Sequence, residues 1–260
     1  NNSIRRAFGY NQTQMFIDFW FDNIDDISNY ITWYYDSIKG NCFRFNSGIS
    51  KNGSAIPLLK QVQPGISHGL YVTAFIDVYK KQIYNFMNFV RGRGLQISIN
   101  NQSYIPLYFR DLTTIKTGTC TFIGIRRVVS EVLPEPYSSC KDLSNFESVL
   151  YKEFLKHNKK YQQNVCFDMC QQKTIIDNCN CSTINFPNIL NANTCNTIEE
   201  IQCSFKYIYN DTYKVHLDGD CLQLCPLECE TVSYSFSSSF QDFPDSGVYY
   251  EYLRMNPYIV

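Results

Sequence analysis

The sequence predicts an α+β fold in which an antiparallel β-sheet core is joined to helices that disulfides hold in place. Four segments alternate apolar and polar residues, as strands with one solvated face do. Two other segments repeat apolar residues at three- and four-residue steps, as helices do. Twelve cysteines are present, and ten of them lie between Cys140 and Cys229. Cysteines in this number are typical of secreted domains and rare in the cytosol, so we expect an extracellular protein.

The composition allows one large domain and excludes some kinds of partner. The chain has 260 residues, of which 44% are apolar and 16% aromatic, so a sizeable core can form without a metal or cofactor. We therefore expect no cofactor. The net charge is −1, and no long block of like charge occurs. Nucleic acid is not expected as a partner, because binding to phosphates requires a basic surface.

The first predicted element is a helix over residues 13–38. A stripe of apolar side chains on one face of such a helix would pack on the core. The polar pairs Asp25-Asp26 and Ser28-Asn29 would allow a break into two helices. The stripe consists of Phe16, Trp20, Ile24, Ile27, Ile31, Tyr34 and Ile38.

Four strands are predicted at residues 69–79, 94–99, 121–129 and 230–240. The last of them has the most regular alternation, with Ser and Thr on the face opposite the apolar side chains. One-sided strands of this kind suit an antiparallel sheet with a solvated face. The apolar face of the last strand consists of Val232, Tyr234, Phe236 and Phe240.

Two more helices are predicted between the third and fourth strands, over residues 144–163 and 164–177. Ser144 followed by Glu147 is a capping-box pattern, which marks the start of a helix. An apolar stripe then runs along the first of the two helices. Its members are Phe146, Val149, Leu150 and Phe154.

The spacing of the cysteines suggests a ladder of disulfides. Cys166 and Cys170 lie on one face of a predicted helix, about 6 Å apart. Cys221 and Cys225 have the same spacing, but a straight strand would separate them by about 13 Å, so that segment must bend. Spacing alone leaves other connectivities open. An antiparallel ladder with nested inner pairs would consist of Cys140–Cys229, Cys166–Cys225, Cys170–Cys221, Cys179–Cys203 and Cys181–Cys195.

The N-x-Ser/Thr sequons agree with an extracellular location. Asn180 lies between cysteines, where glycan transfer is hindered, and Asn1 is the first residue. The chain has no initiator Met, no signal peptide and no apolar run of about 18 residues, so we expect a fragment such as a trimmed ectodomain. The glycosylation candidates are Asn11, Asn52, Asn101 and Asn210.

No enzyme activity is expected. The sequence contains no Gly-x-Ser-x-Gly, His-Glu-x-x-His or P-loop motif. None of the histidines, His68, His157 and His216, has a recognisable nucleophile beside it. With three histidines, a zinc site would need mostly thiolate ligands, and the ladder assigns the clustered thiols to disulfides.

Five segments together resemble the degenerin/epithelial sodium channel family, which includes acid-sensing and peptide-gated channels. The resemblance runs from about residue 38 to 244, and the order of the cysteines is its most specific part. The segments are GNCFRFNSG (40–48), GLYVTAFID (69–77), LPEPYSSCK (133–141), CFDMC with CNCS (166–182) and CLQLCPLEC (221–229).

The resemblance implies the extracellular side of a plasma-membrane channel. Such a channel is a trimer of identical or homologous subunits that conducts sodium ions and is blocked by amiloride. It opens in response to a peptide, a proton, a protease or force, or it is open constitutively. Its pore and membrane helices would flank this chain. The same five cysteine pairs are implied as in the ladder. An aromatic that couples the ectodomain to the gate corresponds to Tyr137, in a loop fixed by Pro134 and Pro136.

The resemblance also implies an acid-sensing-channel-like division of the ectodomain. Residues 1–38 would form finger-like helices, residues 39–133 the β-core, residues 134–229 the cysteine-rich thumb, and residues 230–260 a β-core strand with a knuckle-like end. The family's partner for Cys42 lies upstream of residue 1, so Cys42 is expected to be unpaired or joined to Cys120.

The alternative hypothesis is a soluble, secreted, disulfide-rich binding module without channel activity. Two apolar runs of about 20 residues flanking this segment in the full gene would favour the channel. Their absence would favour the module.

Overall fold

The computed structural model describes residues 6–7, 9–22, 24–36, 39–76, 94–105, 112–143, 146–209 and 219–243. The strands among them are β1 Phe16–Phe21, β2 Ile31–Asp36, β3 Gly40–Phe45, β4 Leu70–Ala74, β5 Leu95–Ser98, β6 Leu112–Ile115, β7 Thr119–Glu131 and β8 Glu230–Asp242. The helices are α1 Gln12–Met15, α2 Val149–Lys156, α3 Gln163–Cys179 and α4 Ile198–Tyr209. Residues 219–224 are also helical.

The chain divides into two compact units. The strand unit comprises Asn1–Gln102, Asp111–Ile125 and Phe236–Val260, and the disulfide unit comprises Ser103–Arg110 and Arg126–Ser235. The described parts of β1 to β6 lie in the strand unit, whereas α2, α3 and α4 lie in the disulfide unit.

The described strands pair two by two. β1 pairs with β4, β2 with β3 and β5 with β6, all antiparallel, and β7 pairs with β8. Hydrogen bonds extend the β7–β8 pair at both ends, from Phe243 N to Gly118 O at 2.9 Å and from Val132 N to Cys229 O at 2.8 Å. Helices and antiparallel sheets in one chain confirm the predicted α+β class.

The predicted helix over 13–38 is wrong. That segment contains the four-residue helix α1, the strands β1 and β2 and a short 3₁₀ turn. Its aromatic and β-branched residues also fit strands, and their cross-strand partners lie far along the sequence: Phe19 faces Val72, and Trp33 faces Phe43. Strand pairing therefore overrides the helical spacing of the apolar residues.

The four predicted strands are found, with different bounds. β4 begins at Leu70 and ends at Ala74, and residues 77–79 of the prediction lie outside the described residues. β5 and β7 cover 94–99 and 121–129 closely. β8 is longer than predicted, and its apolar face is covered only at its beginning: Val232 is buried, whereas Phe240 is 70% exposed.

The Asn46-Ser47-Gly48 end of the 40–48 segment stabilises the chain after β3. Asn46 has a positive φ of 57° and holds the backbone of Leu59 with two hydrogen bonds, one from its Nδ2 and one to its Oδ1, both 2.9 Å. Gly48 has a φ of +80°, which suits glycine, and its carbonyl accepts the N–H of Ile56 at 3.0 Å. The segment 46–59 is thus a loop closed by the Asn46 side chain and by a backbone hydrogen bond between Gly48 and Ile56.

The predicted helices of the disulfide unit exist, but the first is shorter than predicted. α2 begins after Ser148, whose Oγ accepts the N–H of Tyr151 at 3.0 Å. The expected cap Ser144 lies outside the described residues, and Glu147 precedes the helix. α2 ends at Lys156, before Asn158 with its positive φ of 51°. α3 covers the predicted 164–177 and is longer by one residue at its start and by two residues at its end.

Candidate functional site

A core of apolar side chains and cystines forms the centre of the disulfide unit. Phe154 and Leu150 of α2 are fully buried, with Val165 and Met169 of α3 beside them. The rings of Phe154 and Tyr161 lie 5.2 Å apart. The remaining buried members of this core are Cys166, Cys170, Cys221 and Cys225.

Two disulfides join α3 to the segment that precedes β8. Cys166 bonds to Cys225 and Cys170 to Cys221, with Cα–Cα distances of 5.6 and 6.0 Å. The expectation of a bent strand at 221–225 is corrected: the segment is a helical turn, in which Cys225 N donates to Cys221 O at 2.9 Å. A helical turn gives both cysteine pairs the same four-residue rise, so two parallel bridges fit without distortion.

A third disulfide closes the disulfide unit where the chain leaves β7. Cys140 bonds to Cys229 over a sequence separation of 89 residues. Lys141 N donates to Leu227 O at 2.8 Å, and Val132 N donates to Cys229 O at the same distance. The chain before α2 is therefore fixed to the chain before β8 by one covalent bond and two backbone hydrogen bonds.

Polar contacts also join the start of α3 to the segment 225–228. The hydroxyl of Tyr161 donates to the carbonyl of buried Pro226 at 2.8 Å. Burial, with a smaller contribution from Glu228, raises the pKa of Tyr161 far above its ordinary value, so the hydroxyl stays protonated. Gln163 Nε2 donates to Cys225 O at 3.0 Å, and Gln163 N donates to a carboxylate oxygen of Glu228 at 3.1 Å. A carboxylate at the N-terminus of α3 also interacts favourably with the helix dipole.

The far end of α3 is held by the two shorter disulfides. Cys179 bonds to Cys203 of α4, and Cys181 bonds to Cys195, with sequence separations of 24 and 14 residues. Gln172 is fully buried and exchanges two hydrogen bonds with the backbone of Thr183, at 3.0 and 3.2 Å. The segment after α3 is thus tied back to the helix by covalent and polar contacts.

Helix α4 begins with a reciprocal cap. Thr197 Oγ1 accepts the N–H of Glu200 at 3.2 Å, and a Glu200 carboxylate oxygen accepts the N–H groups of Asn196 and Thr197 at 2.8 and 3.1 Å. These hydrogen bonds, that from Asn196 first, lower the pKa of Glu200. The cap fixes the start of α4, the helix that carries Cys203.

All five disulfides coincide with the pairs that the ladder and the resemblance give. The two other cysteines, Cys42 and Cys120, are free and half-buried, so the alternative in which they bond to each other is not realised. Burial raises the pKa of the Cys42 thiol.

The loop between β7 and α2 contains the three residues predicted to couple to a gate. Tyr137 lies on the surface with 78% of its side chain exposed, and Pro134 and Pro136 are exposed beside it. Tyr137 N donates to Pro134 O at 3.0 Å, which closes a turn. Ser138 Oγ donates to Leu133 O at 2.7 Å and accepts the N–H of Cys140 at 3.2 Å. The exposed tip therefore stands on a base that the Cys140–Cys229 bridge fixes.

Sequence reasoning did not single out Tyr161, Gln163 or Gln172. These side chains bond to backbone groups of Pro226, Cys225 and Thr183. No motif marks such contacts, because the disulfides and the turn at 221–225 determine which carbonyl comes within reach.

The other predicted sites lie on the surface or outside the described residues. Asn11 and Asn52 are exposed, Asn101 is half-buried, and Asn210 is not among the described residues. Within the described ranges, no cluster of three or more His, Cys, Asp or Glu side chains is arranged to hold a metal ion. Across the same ranges, no helix combines the length and apolar character needed to cross a bilayer.

Antiparallel strand pairs and a helical unit with five disulfides in one chain agree with an ectodomain of the class that the sequence resembles. The chain belongs to the amiloride-sensitive sodium channel family, which it matches over residues 1–257. This is a family of ion channels and not of enzymes.

Several curated relatives are epithelial sodium channel subunits. The chain is 28% identical over 240 residues to the gamma subunit of Pelodiscus sinensis, which covers 92% of this chain and 34% of the relative. It is 29% identical over 241 residues to the gamma-2 subunit of Xenopus laevis, with 92% and 34% covered. The beta subunit of Neoceratodus forsteri is 26% identical over 218 residues, with 83% and 32% covered. The chain thus spans about a third of the length of these relatives.

Proposed function

We propose that the chain is the extracellular part of a sodium-selective, amiloride-sensitive channel subunit in the plasma membrane. In this proposal it assembles with identical or homologous subunits into a trimer and gates the pore in response to a ligand or force. Family membership and the likeness to epithelial sodium channel subunits support it. The observation that carries the gating part is the loop 132–139, whose exposed tip stands on a disulfide-fixed base.

Transmission of a conformational change requires a body that does not absorb it. Two disulfides and the buried core fix α3 to the segment 221–225, and a third disulfide fixes Cys140, before α2, to Cys229. A displacement of such a body reaches its other end almost undiminished, whereas a flexible segment would relax locally. A ligand or force then biases the channel only if it acts differently on the open and closed states.

The tip of the loop is suited to a contact with another part of a channel. The large side chains of Tyr137 and Leu133 are 78% and 64% exposed to solvent. Burial of such apolar surface against another protein segment would be favourable. Their backbone is held by the turn at Pro134 and by Cys140. We propose that Tyr137 contacts the membrane part of the subunit and passes on the movement of the disulfide unit.

We also propose which parts of the chain form the subdomains of the ectodomain. Residues 134–229 would act as the thumb, and residues 39–133 and 230–260 would supply the β-core. No helical finger is proposed within residues 1–38, because strands β1 and β2 occupy that segment.

The test is expression of the full-length subunit in oocytes, alone and with homologous subunits. The expected result is a sodium current that amiloride blocks. Recordings under a peptide, acid and a protease in turn identify the stimulus. No current in any combination, with the subunit present at the surface, would contradict the proposal.

A matched pair of variants tests the coupling role. Tyr137→Ala should reduce the stimulated current without reducing the amount of surface protein, whereas Tyr137→Phe should retain most of it. Tyr209→Ala is the control, because Tyr209 is also exposed, at 53%, and lies in the same unit outside the loop. Equal currents for Tyr137→Ala and Tyr209→Ala would rule out coupling through Tyr137.

A further inference from the structure

The turn 50–54 at the surface of the strand unit contains the sequon Asn52-Gly53-Ser54. All three residues are exposed. The turn is closed by its own backbone: Gly53 N donates to Ser50 O at 3.0 Å, and Ser50 N donates to Ser54 O at 2.8 Å. Gly53 adopts a φ of +82° in the turn, a conformation that glycine reaches without strain.

Asn52 has a free amide in this turn. Among the described residues, the side chain of Asn52 makes no hydrogen bond, so its nitrogen is available for attachment. The hydroxyl of Ser54 lies 2.6 Å from that of Ser50, also within the turn. A bulky group on the Asn52 nitrogen would therefore extend into solvent and displace no native contact.

The sequon at Asn180 shares the exposed asparagine but differs in its flanking residues and in its third residue. Asn180 caps the end of α3 with a positive φ of 56°, between the half-cystines Cys179 and Cys181. Its Ser182 is 1% exposed and donates to the carbonyls of Ala192 and Asn193, each at 3.1 Å. The third residue of this sequon is thus enclosed by the fold.

We propose that Asn52 carries an N-linked glycan and that Asn180 does not. The inference rests on the proposed extracellular location, because the sugar is transferred only to chains that enter the secretory pathway. A glycan at Asn52 also means that the turn 50–54 faces solvent in the assembled protein, so no subunit packs against it.

The test uses the full-length subunit expressed in eukaryotic cells and treated with peptide-N-glycosidase in heavy-oxygen water. We expect labelled aspartate at position 52 in the mass spectrum and unlabelled asparagine at position 180. Asn52→Gln should increase mobility on a gel by one glycan step, and Asn180→Gln should leave mobility unchanged.

Two variants of Ser54 separate glycan loss from a change in the turn. Ser54→Ala keeps Asn52 but destroys the sequon, so it should show the same mobility shift as Asn52→Gln. Ser54→Thr preserves the sequon and should behave like the unchanged protein.

Surface biotinylation distinguishes failure of this inference from failure of the proposed function. A surface-labelled subunit that is unlabelled at position 52 overturns the glycan and leaves the extracellular location intact. A subunit that remains inaccessible to the surface label and resists the glycosidase overturns both. Heavy-oxygen label at position 180 would overturn the contrast between the two sequons.

Discussion

The two units of this chain are stabilised in different ways. Every disulfide lies in the disulfide unit, while the strand unit contains both free cysteines, Cys42 and Cys120. The two buried apolar clusters of the described residues also lie in the disulfide unit. In the described part of the strand unit, the buried apolar side chains are Phe21, Ile27 and Ile31.

The strand unit relies instead on strand pairing, aromatic contacts and local hydrogen bonds. Trp20 stacks on Tyr71 with ring centroids 5.1 Å apart, and Phe16 meets the edge of Phe43 at the same distance. Two-stranded pairs of this kind are marginal by themselves. The comparison teaches that crosslinks and buried apolar clusters are concentrated in one unit, which agrees with the proposal that this unit transmits movement to a gate.

The largest effect is expected from a cavity in the disulfide unit. Phe154→Ala removes a fully buried ring from the core and should lower the free energy of unfolding by about 3–5 kcal/mol. Phe240→Ala, at a 70% exposed position of the strand unit, should change it by about 0.5 kcal/mol or less. Denaturant unfolding of the chain measures both. Similar losses for the two variants would mean that burial does not distinguish the units.

The next effect is the loss of one covalent bridge. The double variant Cys166→Ala with Cys225→Ala should lower the free energy of unfolding by about 2–4 kcal/mol, because a crosslink restricts the unfolded chain. The neighbouring bridge Cys170–Cys221 remains, so the lower part of this range is expected.

Cys42→Ala is the matched control for that double variant, since it removes a free, half-buried thiol and no crosslink. A change of about 1 kcal/mol or less is expected. Thermal unfolding without reductant measures both proteins. If Cys42→Ala lowered the free energy of unfolding as much as the loss of the bridge, the crosslink would not be a source of stability particular to the disulfide unit.

A smaller effect tests how the strand unit is held. Asn46→Ala removes both hydrogen bonds to Leu59 and places alanine at a φ of 57°, so a loss of about 1–3 kcal/mol is expected. Asn46→Gly loses the same bonds but tolerates the positive φ, so it should be the milder variant. Unfolding and limited proteolysis of the loop 46–59 report on both. Unchanged proteolysis in Asn46→Ala would show that the two hydrogen bonds between Asn46 and Leu59 do not stabilise the loop.

The smallest effect is expected at Tyr161. Tyr161→Phe removes the hydrogen bond to the buried Pro226 carbonyl and should cost about 1 kcal/mol near neutral pH. Because burial raises the pKa of Tyr161, the folded state disfavours the phenolate. The stability that the protonated Tyr161 contributes is complete below the ordinary tyrosine pKa of about 10, and it is lost as the pH rises above that value. Stability measured from neutral to alkaline pH should fall less steeply in Tyr161→Phe, and parallel curves would contradict the assignment.

The spacing of the cysteines suggested the ladder of the disulfide unit, and the family resemblance implied the same five pairs. Cys166 and Cys170 lie one helical turn apart on α3, and a local pattern is enough to recognise such a helix. The same holds for β5, β7 and β8, whose alternation of side chains is a property of the strand itself.

Tertiary structure alone decided the elements whose partners are distant. Residues 13–38 have helical spacing, but β1 pairs with β4 and β2 with β3, and no local pattern contains those partners. The helical turn at 221–225 follows from the need to meet two cysteines on α3, and the contact of Tyr161 with Pro226 exists only after that meeting. Local patterns in the sequence predicted the helix α3 and the strands β5, β7 and β8. Contacts between remote segments depend instead on packing free energy that is realised only in the folded chain.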